Sequence, residues 1–122
     1  MKNMLNWFEV PVKDFERAKK FYETIFEIEM PQNQMGDYLM GFFPAFEGKV
    51  SGAIVQGMGY EPSMTGHQVY LNGNPDLQNV LDRVTAAGGE VMVPKTQITP
   101  EIGWFAFIKD SEGNKVALHS QN

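Results

Sequence analysis

Residues 6–26 read NWFEVPVKDFERAKKFYETIF, and the change of period inside this stretch decides the fold. From Asn6 to Val12, Phe8, Val10 and Val12 alternate with Trp7, Glu9 and Pro11, the pattern of a strand with one buried face. Asp14 then stands where a helix N-cap belongs, and Phe15, Ala18, Phe21, Tyr22 and Ile25 recur at intervals of three and four, which predicts a helix to about Phe26. Three strands are expected next, at about Ile28 to Gln32, Tyr38 to Phe43 and Val50 to Gln56, separated by segments that carry Gly36, Asp37, Pro44 and Gly48.

The same order then repeats. Gly57 to Thr65 has two glycines, a proline and no sustained period, so it reads as a connector. Val69 and Leu71 alternate with Gln68 and Tyr70 as in a strand, and Asn74-Pro75 marks a helix start, proline being tolerated in the first turn. Leu77, Val80, Leu81 and Val84 form the helical stripe, and Gly88-Gly89 is the stop. Three strands follow: Glu90 to Val93, Gly103 to Lys109 and Lys115 to Ser120. Asp110 to Asn114 joins the last two as a hairpin, with Gly113 where a positive φ is needed. The reading is one domain over 1–122, with module one at about 1–57, a connector at about 58–65 and module two at about 66–122. A chain of 122 residues buries one substantial core, so the two copies must share it.

Composition narrows the function classes. Hydrophobic residues are 43% and charged residues 20%, which marks a folding chain and not a disordered one. Ten Lys and Arg against fifteen Asp and Glu give a net charge of -5, and no basic cluster is present to neutralise phosphates. Nucleic acid and anionic membrane surfaces are therefore not expected partners. The absence of cysteine excludes disulfides, thiolate metal sites and thiol nucleophiles. Met1-Lys2-Asn3-Met4 leads straight into the first strand without a signal-like apolar run, so a cytoplasmic location is expected. No Walker loop, Gly-x-Gly-x-x-Gly turn or Gly-x-Ser-x-Gly elbow appears, which leaves nucleotide-binding and α/β-hydrolase readings without support.

The segment from Trp7 to Tyr22 resembles the entry segment of the vicinal oxygen chelate superfamily, which includes glyoxalase I, bleomycin-resistance proteins and extradiol dioxygenases. Residues Phe107 to His119 resemble its final hairpin, and Ala86-Ala87-Gly88-Gly89 lies between the two matches. The resemblance implies an α+β fold of two βαβββ modules whose sheets pair around a shared concave cavity. It also implies a homodimer, an expectation that the exposed edges of two four-stranded sheets share.

Enzymes of that superfamily hold a divalent metal with four His, Glu or Gln side chains, from the first and last strands of each module. Carried onto this chain, the first position falls on Trp7, the module-one end strand on Ala53 and the last strand on Ala117. The fourth falls on His67 if Gly66-His67 is matched directly. It falls on Gln68 if strand alternation is followed back from the helix, the preferred frame because Val69 and Leu71 then face the helices. At most one ligand remains, where a catalytic site needs about three, so no metal and no cofactor are expected.

Alternation puts Trp7 and Glu9 on the cavity face of the first strand and Ala117 and His119 on that of the last. Glu9 and His119 are the candidate catalytic pair, either as proton carriers or, with Gln68, as a shifted metal site, and the alternative for both is a structural role. Trp7, Gln68 and Tyr70 are the candidate ligand contacts, Trp7 serving as a stacking platform or simply as a plug. The apolar run Met40 to Phe46 lines a pocket, fills a doubly buried strand or makes a dimer contact. Three functions remain open: a binder of a small organic molecule, a lyase or isomerase related to lactoylglutathione lyase, and a structural or regulatory dimer module.

Overall fold

The computed structural model describes residues 4–45 and 47–122, so Phe46 of the apolar run and the first three residues lie outside it. The chain runs β1 (Phe8–Pro11), α1 (Phe15–Phe26), β2 (Gln32–Met35), β3 (Tyr38–Phe42), β4 (Gly52–Gln56), then β5 (Tyr70–Asn72), α2 (Gln78–Ala87), β6 (Glu90–Thr99), β7 (Gly103–Lys109) and β8 (Lys115–Ser120). This is the βαβββ unit twice. Each unit makes its own mixed four-stranded sheet, in the orders β1-β4-β3-β2 and β5-β8-β7-β6. In both, the strand before the helix pairs in parallel with the last strand, and the remaining pairs are antiparallel.

α1 forms where the sequence predicts it. Asp14 is the N-cap, its side chain accepting from the Arg17 N–H at 3.1 Å, and the predicted stripe Phe15, Ala18, Phe21, Tyr22 and Ile25 is buried. α2 ends on Gly88 in the left-handed conformation at φ 108, where the Gly88 and Gly89 N–H groups bond to the Thr85 and Val84 carbonyls. The two helices pack on one another. Val10, Val12 and Ile54 from the first sheet and Leu71, Ala106, Ile108 and Leu118 from the second join them in a single core. Each large apolar side chain buried there contributes roughly 1.5–3 kcal/mol, and neither module closes the core alone.

Four elements depart from the sequence expectation. β2 begins at Gln32 and not Ile28. Glu27 closes α1 in the left-handed region, the Met30 N–H bonds to the Glu23 carboxylate at 2.8 Å, and buried Met30 plugs the end of the core. The apolar pair Ile28 and Met30 thus serves an irregular turn, while the strand itself is the exposed, mostly polar QNQM. α2 starts at Gln78 and not at Pro75, because Asn72 and Asp76 bond to the N–H groups of Asn74 and Gln78, holding a side-chain-stabilised turn ahead of the helix. β6 continues through Pro94 to Thr99. It is an edge strand, where a missing N–H breaks no ladder, and its register against β7 shifts three times along its length. β5 is also displaced, to Tyr70–Asn72, although the Ala117 N–H bonds to the Val69 carbonyl and so extends the ladder.

The β7–β8 hairpin fastens the modules together. Glu112, whose side chain is fully buried, accepts from the Lys13 and Asp14 N–H groups at 2.9 and 2.7 Å and from Arg17 Nε at 2.7 Å. A carboxylate from module two thereby satisfies backbone donors at the start of α1. Burial pushes the Glu112 carboxyl up, but the Arg17 guanidinium, the Asp14 N–H, the Ser111 hydroxyl and the Lys13 N–H outweigh it and hold the group at about 2. Beside it, buried Tyr22 donates to Asp110 at 2.7 Å. Burial, then the Asp110 charge and that hydrogen bond, raise the Tyr22 phenol well above its ordinary value. Asn114 donates to the Pro11 carbonyl and to Asp110 and accepts from the Ser63 N–H.

Candidate functional site

The faces turned away from the helices carry the candidate residues. On the first sheet, the register Glu9↔Ala53 and Ala53↔Phe42 sets these three in one row across β1, β4 and β3. Trp7 stands two residues before Glu9 and remains 44% exposed. Its ring centroid is 6.2 Å from that of Phe42, and its indole N–H donates to Glu9 Oε2 at 3.3 Å. The other oxygen, Oε1, accepts from the Tyr60 hydroxyl at 2.6 Å. Tyr60 also packs edge-on against Tyr38 at 5.8 Å. The hydrogen bond to Glu9, then partial burial and the Glu9 charge, raise the Tyr60 phenol above its ordinary value. Tyr60 comes from the glycine- and proline-rich connector, and strand periodicity could not have found it. An aromatic residue inside such a connector was the only signal.

The second sheet repeats this layout. Tyr70, Ala117 and Phe107 form the corresponding row, and Asn72, His119 and Phe105 the next. Gln68 precedes Tyr70, the partner of Ala117, by two residues, just as Trp7 precedes Glu9, the partner of Ala53. Tyr70 is 52% exposed, and the Lys115 ammonium sits over the Phe107 ring at 4.5 Å. His119 Nε2 lies 2.6 Å from the Ile102 carbonyl, so its ring is tied to the segment between β6 and β7.

A cleft of about 1340 Å³ lies between the modules, and Glu9, His67, Gln68 and Tyr70 all line it. Its walls are apolar where Phe8, Phe43, Val69 and Val80 contribute, and it is bordered by Lys49 and Arg83. Among the described residues nothing hydrogen-bonds to the buried Gln68 Nε2, so an acceptor atom of a ligand in the cleft would satisfy it. The cleft therefore collects four of the residues nominated from the sequence. Trp7 lies on the adjoining sheet face, and His119 is on the second sheet's face outside the cleft lining. Of the run Met40 to Phe46, Phe43 and Pro44 line the cleft and Phe42 backs Trp7.

The divalent metal implied by the resemblance does not fit these residues. Ala53 and Ala117 are fully buried methyl groups, and the only polar atom of the Trp7 side chain is an N–H donor already bonded to Glu9. Gln68 would be the sole neutral oxygen donor. Among the described residues, no group of three or more His, Cys, Asp or Glu side chains converges in a way that could hold a metal ion. Neither helix is long and apolar enough to cross a membrane.

Comparison with known proteins agrees with this architecture. A glyoxalase-like domain-containing protein from Didymella fabae is 29% identical over 124 residues, covering 93% of this chain and 91% of its own. A glyoxalase/bleomycin resistance protein from a Streptomyces species superposes with a TM-score of 0.72 at 23% identity, covering 95% of this chain and all of the other. A single-residue variant of glyoxalase I from Zea mays superposes with a TM-score of 0.71 at 18% identity; the match covers 96% of this chain but only 46% of the maize chain. At these identities the structural matches speak to the fold. The sequence model of the Glyoxalase/Bleomycin resistance protein/Dioxygenase superfamily matches residues 4–118. With nearly its whole length matched and its two βαβββ units folded as that architecture requires, the chain belongs to the glyoxalase/bleomycin resistance protein/dioxygenase superfamily.

Proposed function

We propose that this protein is a metal-independent binder of a small organic molecule, acting as a cytoplasmic homodimer. The observation that carries the reading is the set of residues at the four metal-ligand positions: an indole, two methyl groups and a single amide. These make a surface for contact and stacking and not a coordination sphere. Trp7, Gln68 and Tyr70 are the proposed ligand contacts, Trp7 and Tyr70 for exposed aromatic area and Gln68 for its buried amide nitrogen, to which no described residue bonds. Dimerisation is supported by the outer sheet edges, where Met35 on β2 and Met92 and Ile98 on β6 remain exposed. Surfaces of this kind mark interaction sites.

The test combines metal analysis of the purified protein, mass spectrometry of co-purifying small molecules and solution mass. The reading expects no stoichiometric metal, no change in melting temperature with divalent cations, an organic molecule retained on the protein, and a particle of about twice 13.8 kDa. A stoichiometric metal would overturn it. The alternative is a lyase or isomerase with Glu9 and His119 as proton carriers. It is the weaker reading because His119 lies outside the cleft that Glu9 lines and its ring is tied to Ile102. Loss of turnover in Glu9→Gln and His119→Ala with the fold intact would favour it.

A further inference from the structure

We propose that the open face of the first sheet seats the protonated nitrogen of a small organic amine, with the Glu9 carboxylate as counter-ion and Trp7, Phe42 and Tyr60 as its aromatic surround. The proposal rests on the reading of the protein as a binder of small organic molecules and names the chemical class. Its first support is the state of Glu9. Both oxygens accept from neutral aromatic side chains, Tyr60 at 2.6 Å and Trp7 at 3.3 Å, and among the described residues no Lys, Arg or His nitrogen lies within 4 Å of the carboxylate. A carboxylate has about four acceptor positions, so two remain for the N–H groups of a ligand. The Trp7 and Tyr60 bonds fix where those positions point.

The second support comes from the internal repeat. The row Glu9, Ala53, Phe42 in module one corresponds to Tyr70, Ala117, Phe107 in module two. In module two the aromatic row already carries a cation, the Lys115 ammonium 4.5 Å from the Phe107 ring. In module one the corresponding aromatic, Phe42, stands beside Trp7, the ring type most favourable to cations, and the charge built into the row is an anion. The same sheet geometry thus carries its own cation on one side and a fixed anion with aromatic walls on the other. A neutral donor at this point gains the rings and an uncharged hydrogen bond but no ion pair, and an anion meets the Glu9 charge within an overall field of -5.

The test uses three probes of matched shape on the full-length protein: phenethylamine, phenethyl alcohol and phenylpropanoate. Binding is followed by the indole N–H resonance of Trp7, assigned by its loss in Trp7→Phe, and by titration calorimetry. The proposal expects phenethylamine to bind at least tenfold more tightly than either other probe and to shift the Trp7 resonance. It expects Glu9→Gln to remove that preference while the alcohol binds as before and the melting temperature stays put. Equal affinities for all three probes, or an undiminished preference for the amine in Glu9→Gln, would overturn the cation seat and leave the small-molecule reading standing. No shift with any probe at millimolar concentration would also overturn the seat. The underlying reading fails separately, if no organic molecule co-purifies and no ligand of any charge perturbs the cleft.

Discussion

Replacing Glu112 by glutamine keeps the shape of the side chain and removes the charge that joins the two modules. Holding a carboxyl at about 2 when its ordinary value is 4.5 corresponds to ~3 kcal/mol of preference for the ionised form in the folded state, at ~1.4 kcal/mol per tenfold change in proton affinity. Arg17 is about half exposed, so part of its attraction is screened, and a loss of about 2 kcal/mol is the expected cost of Glu112→Gln at pH 7. For a domain of this size that is roughly an 8 °C drop in melting temperature. The pH dependence has a definite sign. The folded-state value is depressed, so the contribution is complete above about pH 4.5 and disappears as pH falls toward 2. Urea unfolding of both proteins between pH 7 and pH 3 gives the difference directly; it should be constant from pH 7 to about 5.5, and more than half of it should be gone at pH 3. A difference below ~0.5 kcal/mol at neutral pH, or one that persists undiminished at pH 3, would refute the assignment of Glu112 as the charged link between the halves.

Other outcomes follow from the same geometry. Tyr22→Phe removes the buried donor to Asp110 at 2.7 Å and should cost ~1–2 kcal/mol in denaturant unfolding, whereas Tyr→Phe at exposed Tyr70 should cost almost nothing. In Glu9→Gln the Tyr60 phenol should ionise at lower pH than in the parent protein, because its main raising influence is gone; ultraviolet difference titration, with Tyr60→Phe to identify the transition, checks this. Gly88→Ala places a Cβ at φ 108 in the α2 cap and should lower stability by about 1 kcal/mol, visible as a reduced denaturation midpoint at unchanged slope.

The elements that were legible in the sequence are those whose side chains answer to one environment only. α1 has water on one side and the core on the other, so its three-and-four spacing survives intact, and β7 and β8 occur at the predicted residues. β2 and β6 were misread because neither is bounded by a change in its own apolar pattern. Their bonding is settled by the neighbour and not by their own apolar content, so QNQM makes a strand while the apolar residues just before it do not. The site was legible to the extent that the first and last strands supply it. Alternation placed Trp7, Glu9, Tyr70 and His119 on the open faces. Tyr60 was missed because an irregular connector carries no period to project from, and the separation of His119 from the cleft follows from how the sheets are set relative to each other, which no local pattern records. The roles of Asp110, Glu112 and Asn114 were hidden for a similar reason. A hairpin's turn chemistry is visible locally, but its partners lie about a hundred residues away.

The bonding of Asn114 bears on how this chain can be altered. By length and position the 110–114 hairpin is the kind of surface turn into which a tag or reporter would ordinarily be spliced. Here it reaches β1 through the Pro11 carbonyl, the connector through the Ser63 N–H and the start of α1 through Glu112, so lengthening it would loosen three parts of the molecule at once. The turn at Gly36 and Asp37 is exposed and lies at the far edge of its sheet. An insertion there would extend a border and leave the join between the halves untouched.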